Sequence, residues 1–407
     1  MKKLFKLVLV LLLLAPLGAC AKAEEPKDPY VVGVATIWTG ATWEIQKKYL
    51  EEEVGPRFNI KFIFSEVIND ADGLMTFMEN AYAQGAQGII NFRTNAIAQG
   101  ATKAQELEMY LVNIASKLPA EVKDNADLTY TVGAIGASVQ GIGAAYSQAI
   151  DQVLSDGKNH SLIIVSGAAV GQAAASHYYS TKALLEGMQA KYGLKYTGTV
   201  DDLINNTTPS EIETGNPDVK IFLVPGTDVA TITNTVSPML QSGEYDVFAA
   251  VFGYTNYTSL ISEVETAKDV NVKIIATTSI EEQTATGFAS KDKFGDSILN
   301  AAVLNPLNVA NGPAVAMMYN ALTGHSDVMK VDGTKPVQLY VNPWVAFDSA
   351  TYESIAKLDT SAETYVLNGD ELFALTVDGN SAVTYKDFET RLMELADIDA
   401  IIAAKLK

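Results

Sequence analysis

Two α/β lobes, each built on a largely parallel sheet, are predicted by three features of this 407-residue sequence. From Tyr30 onward, short uninterrupted apolar runs alternate with longer amphipathic stretches, the order expected of repeated strand–helix–strand units. The series occurs twice, before residue 135 and again from residue 161, and the length is ample for two separate cores. The only cysteine is Cys20, so both Rossmann-like lobes must fold without disulfides.

In the first series YVVGVAT (30–36) reads as a buried strand and TWEIQKKYLEEEV (42–54) as a helix. Strand IKFIFSE (60–66), helix DGLMTFMENAYAQG (72–85) and strand GIINF (88–92) follow. These strands are apolar throughout instead of alternating, so helices are expected on both faces of the sheet. The second series runs from strand SLIIVSG (161–167) through helix ASHYYSTKALLEGMQAKYG (175–193), strand VKIFLV (219–224) and helix VATITNTVSPMLQSG (229–243). It ends with strand YDVFAAVFG (245–253), helix YTSLISEVETAKD (257–269) and strand VKIIATT (272–278). Residues 194–218 are polar and turn-rich, an excursion on the second lobe.

A small C-terminal extension, 356–407, closes the chain. Its runs YVL, ELFALTV and AVTY, separated by NGD and DGNS, predict a hairpin meander, followed by a helix from Lys386 to Ala404. TVDGNSAVTYKDF faintly resembles a calcium loop. Thr376, Ser381 and Asp387, however, stand where an Asp, a Gly and a bidentate Glu are needed, so no calcium is expected there.

The N-terminus has its own logic. Lys2, Lys3 and Lys6 precede an uncharged run from Leu7 to Gly18, the layout of an export signal. That run falls short of the roughly 20 residues that span a hydrocarbon core. Leu17-Gly18-Ala19-Cys20 resembles the lipobox of bacterial lipoproteins, in which the signal (1–19) is removed and Cys20 is acylated. Acyl chains, at about 0.8 kcal/mol per buried methylene, would hold the protein to a membrane by the anchor alone. Residues 20–29, rich in charge and punctuated by proline, are the expected tether. The net charge of −19 argues against nucleic acid as a partner.

Several stretches together resemble the type I periplasmic solute-binding proteins of the ribose-binding-like branch, over about residues 30–350. YVVGVATIWTGATW is similar to that family's first strand and ligand loop. AYAQGAQGIINFRTN resembles its helix, apolar strand and polar loop, and TVGAIGASVQGIGAAYSQAI its first crossing between lobes. AAVLNPLNVANGPAVAMMYNALTG (301–324) is similar to the second hinge and its helix, and YVNPWVAFDSATYESI (340–355) to the third crossing. The resemblance implies a three-strand hinge, with a first lobe of 30–135 and 306–340 and a second of 136–305 and 341–355. It further implies a monomer that closes on a small molecule and delivers it to the permease of an ABC importer.

Ligands of open α/β sheets settle beyond the carboxyl ends of the strands, so the loops there supply the candidate site. Trp38, Thr39 and Trp43 follow the first strand; Arg93, Thr94 and Asn95 follow GIINF; Ser138 and Gln140 lie at the first crossing. His177 starts the helix after SLIIVSG, Tyr254 and Asn256 follow YDVFAAVFG, Thr278 ends VKIIATT, and Asn305 lies at the second hinge. Rings offer apolar area while leaving a ligand's edges free for hydrogen bonds. For Trp43 and Tyr254, core packing is an equal alternative; for Trp344 packing is favoured; for Arg93 a solvated surface charge is an equal alternative, and for His177 a surface position on an amphipathic helix is favoured unless the helix start faces the cleft.

Sugar-binding members of the family use an Asp-Arg pair after the third strand, an Arg early in the second lobe's first helix and an Asp after its last strand. Only Arg93 is kept here; His177-Tyr178 and Thr278-Ser279 stand at the other two places. Asn305 keeps an amide where the family often has Gln. A sugar is ranked first as ligand, ahead of a nucleoside, a purine-like heterocycle or a quorum-type signal. A sensory role beside a chemoreceptor or sensor kinase is the alternative to import.

Catalysis finds no support. The three histidines, His160, His177 and His325, lack metal-ligand spacing, and no metal or cofactor is expected. GASVQG is not a nucleophile elbow, and no P-loop occurs.

Overall fold

A computed structural model describes residues 28–167 and 176–406. The signal, Cys20 and the tether up to residue 27 lie outside the described residues.

The first sheet collects β1 (Tyr30–Ala35), β2 (Ile60–Phe64), β3 (Gly88–Asn91), β4 (Tyr110–Ile114) and β5 (Thr131–Ala137). The second collects β6 (Leu162–Ser166), β7 (Ser210–Ile212), β8 (Ile221–Pro225), β9 (Val247–Ala250), β10 (Lys273–Thr278) and β11 (Ala301–Leu304). β12 (Lys330–Val331) and β13 (Lys335–Val341) return to the first sheet, and β14 (Trp344–Ala346) to the second. The orders are β12-β13-β5-β4-β3-β1-β2 and β14-β11-β10-β9-β6-β8-β7, seven strands each. Pairing is parallel except at the margins, where β12 lies against β13, β7 against β8 and β14 against β11 in antiparallel fashion. Both sheets are thus largely parallel, as expected, with antiparallel pairing confined to their margins.

The backbone passes between sheets three times. β5 leads into the helix Val139–Val153, which packs on β11; β11 leads into the helix Leu307–Leu322, which packs on β4 and β5; β13 leads directly into β14. Apolar burial explains the strands: Leu162, Ile163, Ile164 and Val165 are each at most 1% exposed, as expected for strands covered on both faces.

The stretch between Arg93 and Tyr130, to which no elements are assigned above, contains the helix Ile97–Glu106 and β4. The polar stretch 194–218 holds a short helix, Val200–Ile204, and the edge strand β7.

The meander expected in the extension is replaced by helices. Asn368 of NGD is an N-cap: its side chain accepts from Glu371 N–H at 2.9 Å while Glu371 accepts from Asn368 N–H at 3.0 Å, opening the helix Gly369–Phe373. Thr384 and Asp387 form a second such box before Tyr385–Glu394. Asp397, accepting from Ala400 N–H at 3.0 Å, starts a separate helix, Ile398–Lys405. NGD thus caps a helix instead of turning a hairpin, and the expected single helix is two.

These helices give the helix Leu307–Leu322 its unusual character. Because the sheet covers one face and the extension another, 13 of its 16 residues are buried. Asn320 is paired on both sides, donating to Leu375 O at 3.1 Å and accepting from Val377 N–H at 2.9 Å; Asn311 donates to Gln46 Oε1 at 3.1 Å, while the Oδ1 atoms of Asn308 and Asn311 are buried without a partner among the described residues. Trp344 Nε1 donates to Leu395 O at 2.9 Å, which places Trp344 in packing.

Candidate functional site

A cavity of about 250 Å³ lies where the carboxyl ends of the first sheet meet the crossings and the second lobe. Ile37 and Trp38 come from the loop after β1, Phe92 and Thr94 from that after β3, and Ile114, Ala115 and Ser116 from the end of β4. Gly136 and Ala137 close β5, while Asn305, Pro306, Leu307, Ala310 and Val341 come from the second and third crossings. The second lobe contributes Ser176 and His177.

Each ring is held in place. Thr36 Oγ1 accepts from Trp38 N–H at 3.1 Å, and Gly40, at φ +74°, lets the chain turn out of the loop into the helix Ala41–Lys48. The Trp38 ring meets Phe92 edge-on, centroids 5.0 Å apart. Phe92 is fixed from below: Asn91 Oδ1 accepts from Arg93 N–H at 2.8 Å while Asn91 Nδ2 donates to Asn113 Oδ1 at 2.9 Å. From the second lobe, the His177 ring stacks on Phe252 at 5.3 Å with 14° between planes. Burial pushes the His177 pKa below its ordinary value, so the imidazole is neutral at pH 7, offering one donor and one acceptor. A Cβ at Gly136 would collide with the Ala115 and Ser116 backbone, so glycine there sets the depth of the floor.

The lining carries no carboxylate, ammonium or guanidinium among the described residues. Its neutral polar side chains, Thr94, Ser116, Ser176 and Asn305, make no hydrogen bond within the described residues and face the cavity uncommitted.

Of the expected site residues, the structure brings together Trp38, His177 and Asn305, with Thr94 beside them. Trp43 is 7% exposed and packs edge-on against Phe64 and Phe92, one layer beneath the cavity. Thr39, Asn95, Gln140 and Asn256 are exposed and outside the lining, and Asn256 donates to Gly253 O at 3.0 Å. Arg93 lies next to the lining; its Nε is buried without a hydrogen-bond partner. Ser138 is spent as an N-cap, accepting from Gly141 N–H at 3.0 Å.

Tyr254 faces a different cavity, about 370 Å³, lined by the second lobe alone; its hydroxyl donates to Gln283 O at 3.0 Å, and burial pushes its pKa up to about 12. Thr278 bonds Thr284 Oγ1 at 2.9 Å and Glu281 Oε1 at 3.4 Å. Glu281 also accepts from Thr42 of the first lobe at 3.5 Å, a contact between the lobes.

Sequence reasoning missed Phe92, Ile114, Ser116 and Leu307. Phe92 was within reach, since it closes an apolar strand just before the polar Arg93-Thr94. The β4 residues were not, because the stretch around them had no assigned strand.

Among solved structures, a galactofuranose-binding protein is similar at 12% identity and TM-score 0.56, over 81% of this chain and 98% of that one. An ABC transporter periplasmic solute-binding protein from Actinobacillus succinogenes 130z, with bound D-allose, matches at 15% identity and TM-score 0.55, over 80% and 99%. The chain has the type I periplasmic binding-protein fold. Transcription regulator CcpA of Lactococcus lactis is also similar, at 10% identity and TM-score 0.51 over 78% and 97%, so the binding-protein fold by itself leaves function open. No family model and no curated protein matches the sequence. No described helix is long and apolar enough to cross a membrane.

Proposed function

We propose that the protein is an extracytoplasmic solute-binding lipoprotein, anchored through Cys20, which captures a sugar or sugar derivative between its lobes for the permease of an ABC importer. The observation that carries this reading is a cavity lined from both lobes and from the crossings between them. A ligand seated there touches groups that separate when the lobes part, so it favours the closed state through its differential affinity. Neighbours of the same fold, whose descriptions name bound D-allose and D-arabinose, support a sugar-class ligand. The lipobox-like Leu17–Cys20 supports the anchor, and the sequence resemblance supports a monomer, the importer and a role without turnover.

Small-angle scattering with and without a saturating ligand tests capture. The radius of gyration should contract on binding. An unchanged radius with a tightly bound compound overturns the reading. Radiolabelled palmitate tests the anchor: wild type should incorporate label and Cys20→Ala should not.

A further inference from the structure

We infer that the preferred ligand is a sugar carrying a flat ring, an aryl glycoside or nucleoside, instead of a free monosaccharide. This rests on the capture reading above and deepens it. A free hexose presents hydroxyl groups around its whole edge, and each one buried here needs a partner. Most of the lining cannot provide one, because Ile37, Phe92, Ile114, Leu307 and Val341 are apolar. Charged, bidentate partners of the kind that fix several hydroxyls at once are absent from the described lining.

The arrangement suits a molecule of two halves. Rings line the cavity from both lobes: Trp38, met edge-on by Phe92, from the first, and His177, stacked on Phe252, from the second. Against such rings a flat ring buries apolar area without needing hydrogen bonds over its surface. The uncommitted side chains of Thr94, Ser116, Ser176 and Asn305 suit the smaller number of hydroxyls that a substituted sugar retains. Neutral His177 adds a donor and an acceptor without a charge to be balanced, which favours an uncharged ligand. The volume of about 250 Å³ fits one small molecule and no oligosaccharide.

Calorimetry decides, using adenosine, uridine and phenyl β-D-galactopyranoside against free ribose and galactose. At least one glycoside should bind about tenfold or more tighter than its own parent sugar. In Trp38→Ala and His177→Ala that ratio should fall toward one, a readout that a general loss of folding would not produce. The inference is overturned if the parent sugars bind as tightly as the glycosides, if the ratio survives both substitutions, or if none of the glycosides binds. Free-sugar binding that contracts the scattering radius removes this inference and leaves capture standing. A tight glycoside that leaves the radius unchanged removes capture instead.

Discussion

The cleft and the seam beneath the C-terminal extension both combine polar atoms with apolar walls, and they treat those atoms in opposite ways. At the seam each key group has an internal partner: Tyr49 donates to Leu367 O at 2.7 Å, Asn320 joins Leu375 and Val377, and Trp344 reaches Leu395. In the cleft Thr94, Ser116, Ser176 and Asn305 have no such partner within the described residues. Buried groups that are paired define one packing, whereas groups left uncommitted are available to something from outside. The seam is therefore part of the fold, and the cleft is the part held in reserve.

The comparison breaks most visibly if the seam proves dispensable. Phe388, fully buried on the helix Tyr385–Glu394, is the first target. Phe388→Ala should cost about 3–5 kcal/mol in urea unfolding. A loss below about 1 kcal/mol would mean that the extension is an appendage. Next, Asn320→Ala strands the Leu375 carbonyl and the Val377 N–H, and should cost about 2–3 kcal/mol by the same measurement.

The third prediction concerns pH. Asp359 lies at the junction of the lobes, accepting from Asn308 N–H at 3.2 Å, and burial pushes its pKa up to about 7. In the unfolded chain the same carboxyl titrates near 3.8. Between these values the folded state keeps a proton that the unfolded state has released, so stability falls as pH rises from about 4 to about 7. Asp359→Asn removes this contribution. Unfolding measured at pH 5 and pH 8 should show a smaller fall in the variant than in wild type, and an equal fall refutes the assignment. The smallest effect belongs to the cleft: Thr94→Ala and Asn305→Ala should change stability by no more than about 0.5 kcal/mol. A larger loss would show these side chains to be structural and close the gap between the two regions.

Much of the architecture was legible because apolar strands and their following helices carry a strong period. The second hinge shows this well: AAVL, then Asn305-Pro306, then a helix, is what the structure contains. The helix Ile97–Glu106 was not legible, since its buried face is Ile97, Gly100, Ala101 and Ala104, mostly residues too small to mark a stripe. NGD misled for another reason, because Asn before a short polar run signals a turn and a helix cap alike. Within the site, Trp38 and Asn305 were found because they follow strands directly. Tyr254 obeys the same rule yet faces another cavity, for the strand-end rule gives a level along the sheet but not a direction.

The extension touches both halves of the molecule. Leu367, Leu375 and Val377 bond to the first lobe and the helix Leu307–Leu322, while Ile398–Lys405 packs on the helix Ser349–Thr360, which in turn lies against β14 and the helix Glu282–Ala289. Besides the three crossings, a further connection made of packing and hydrogen bonds links the two halves. Any parting of the halves would have to drag or shear that connection as well as bend the three crossings.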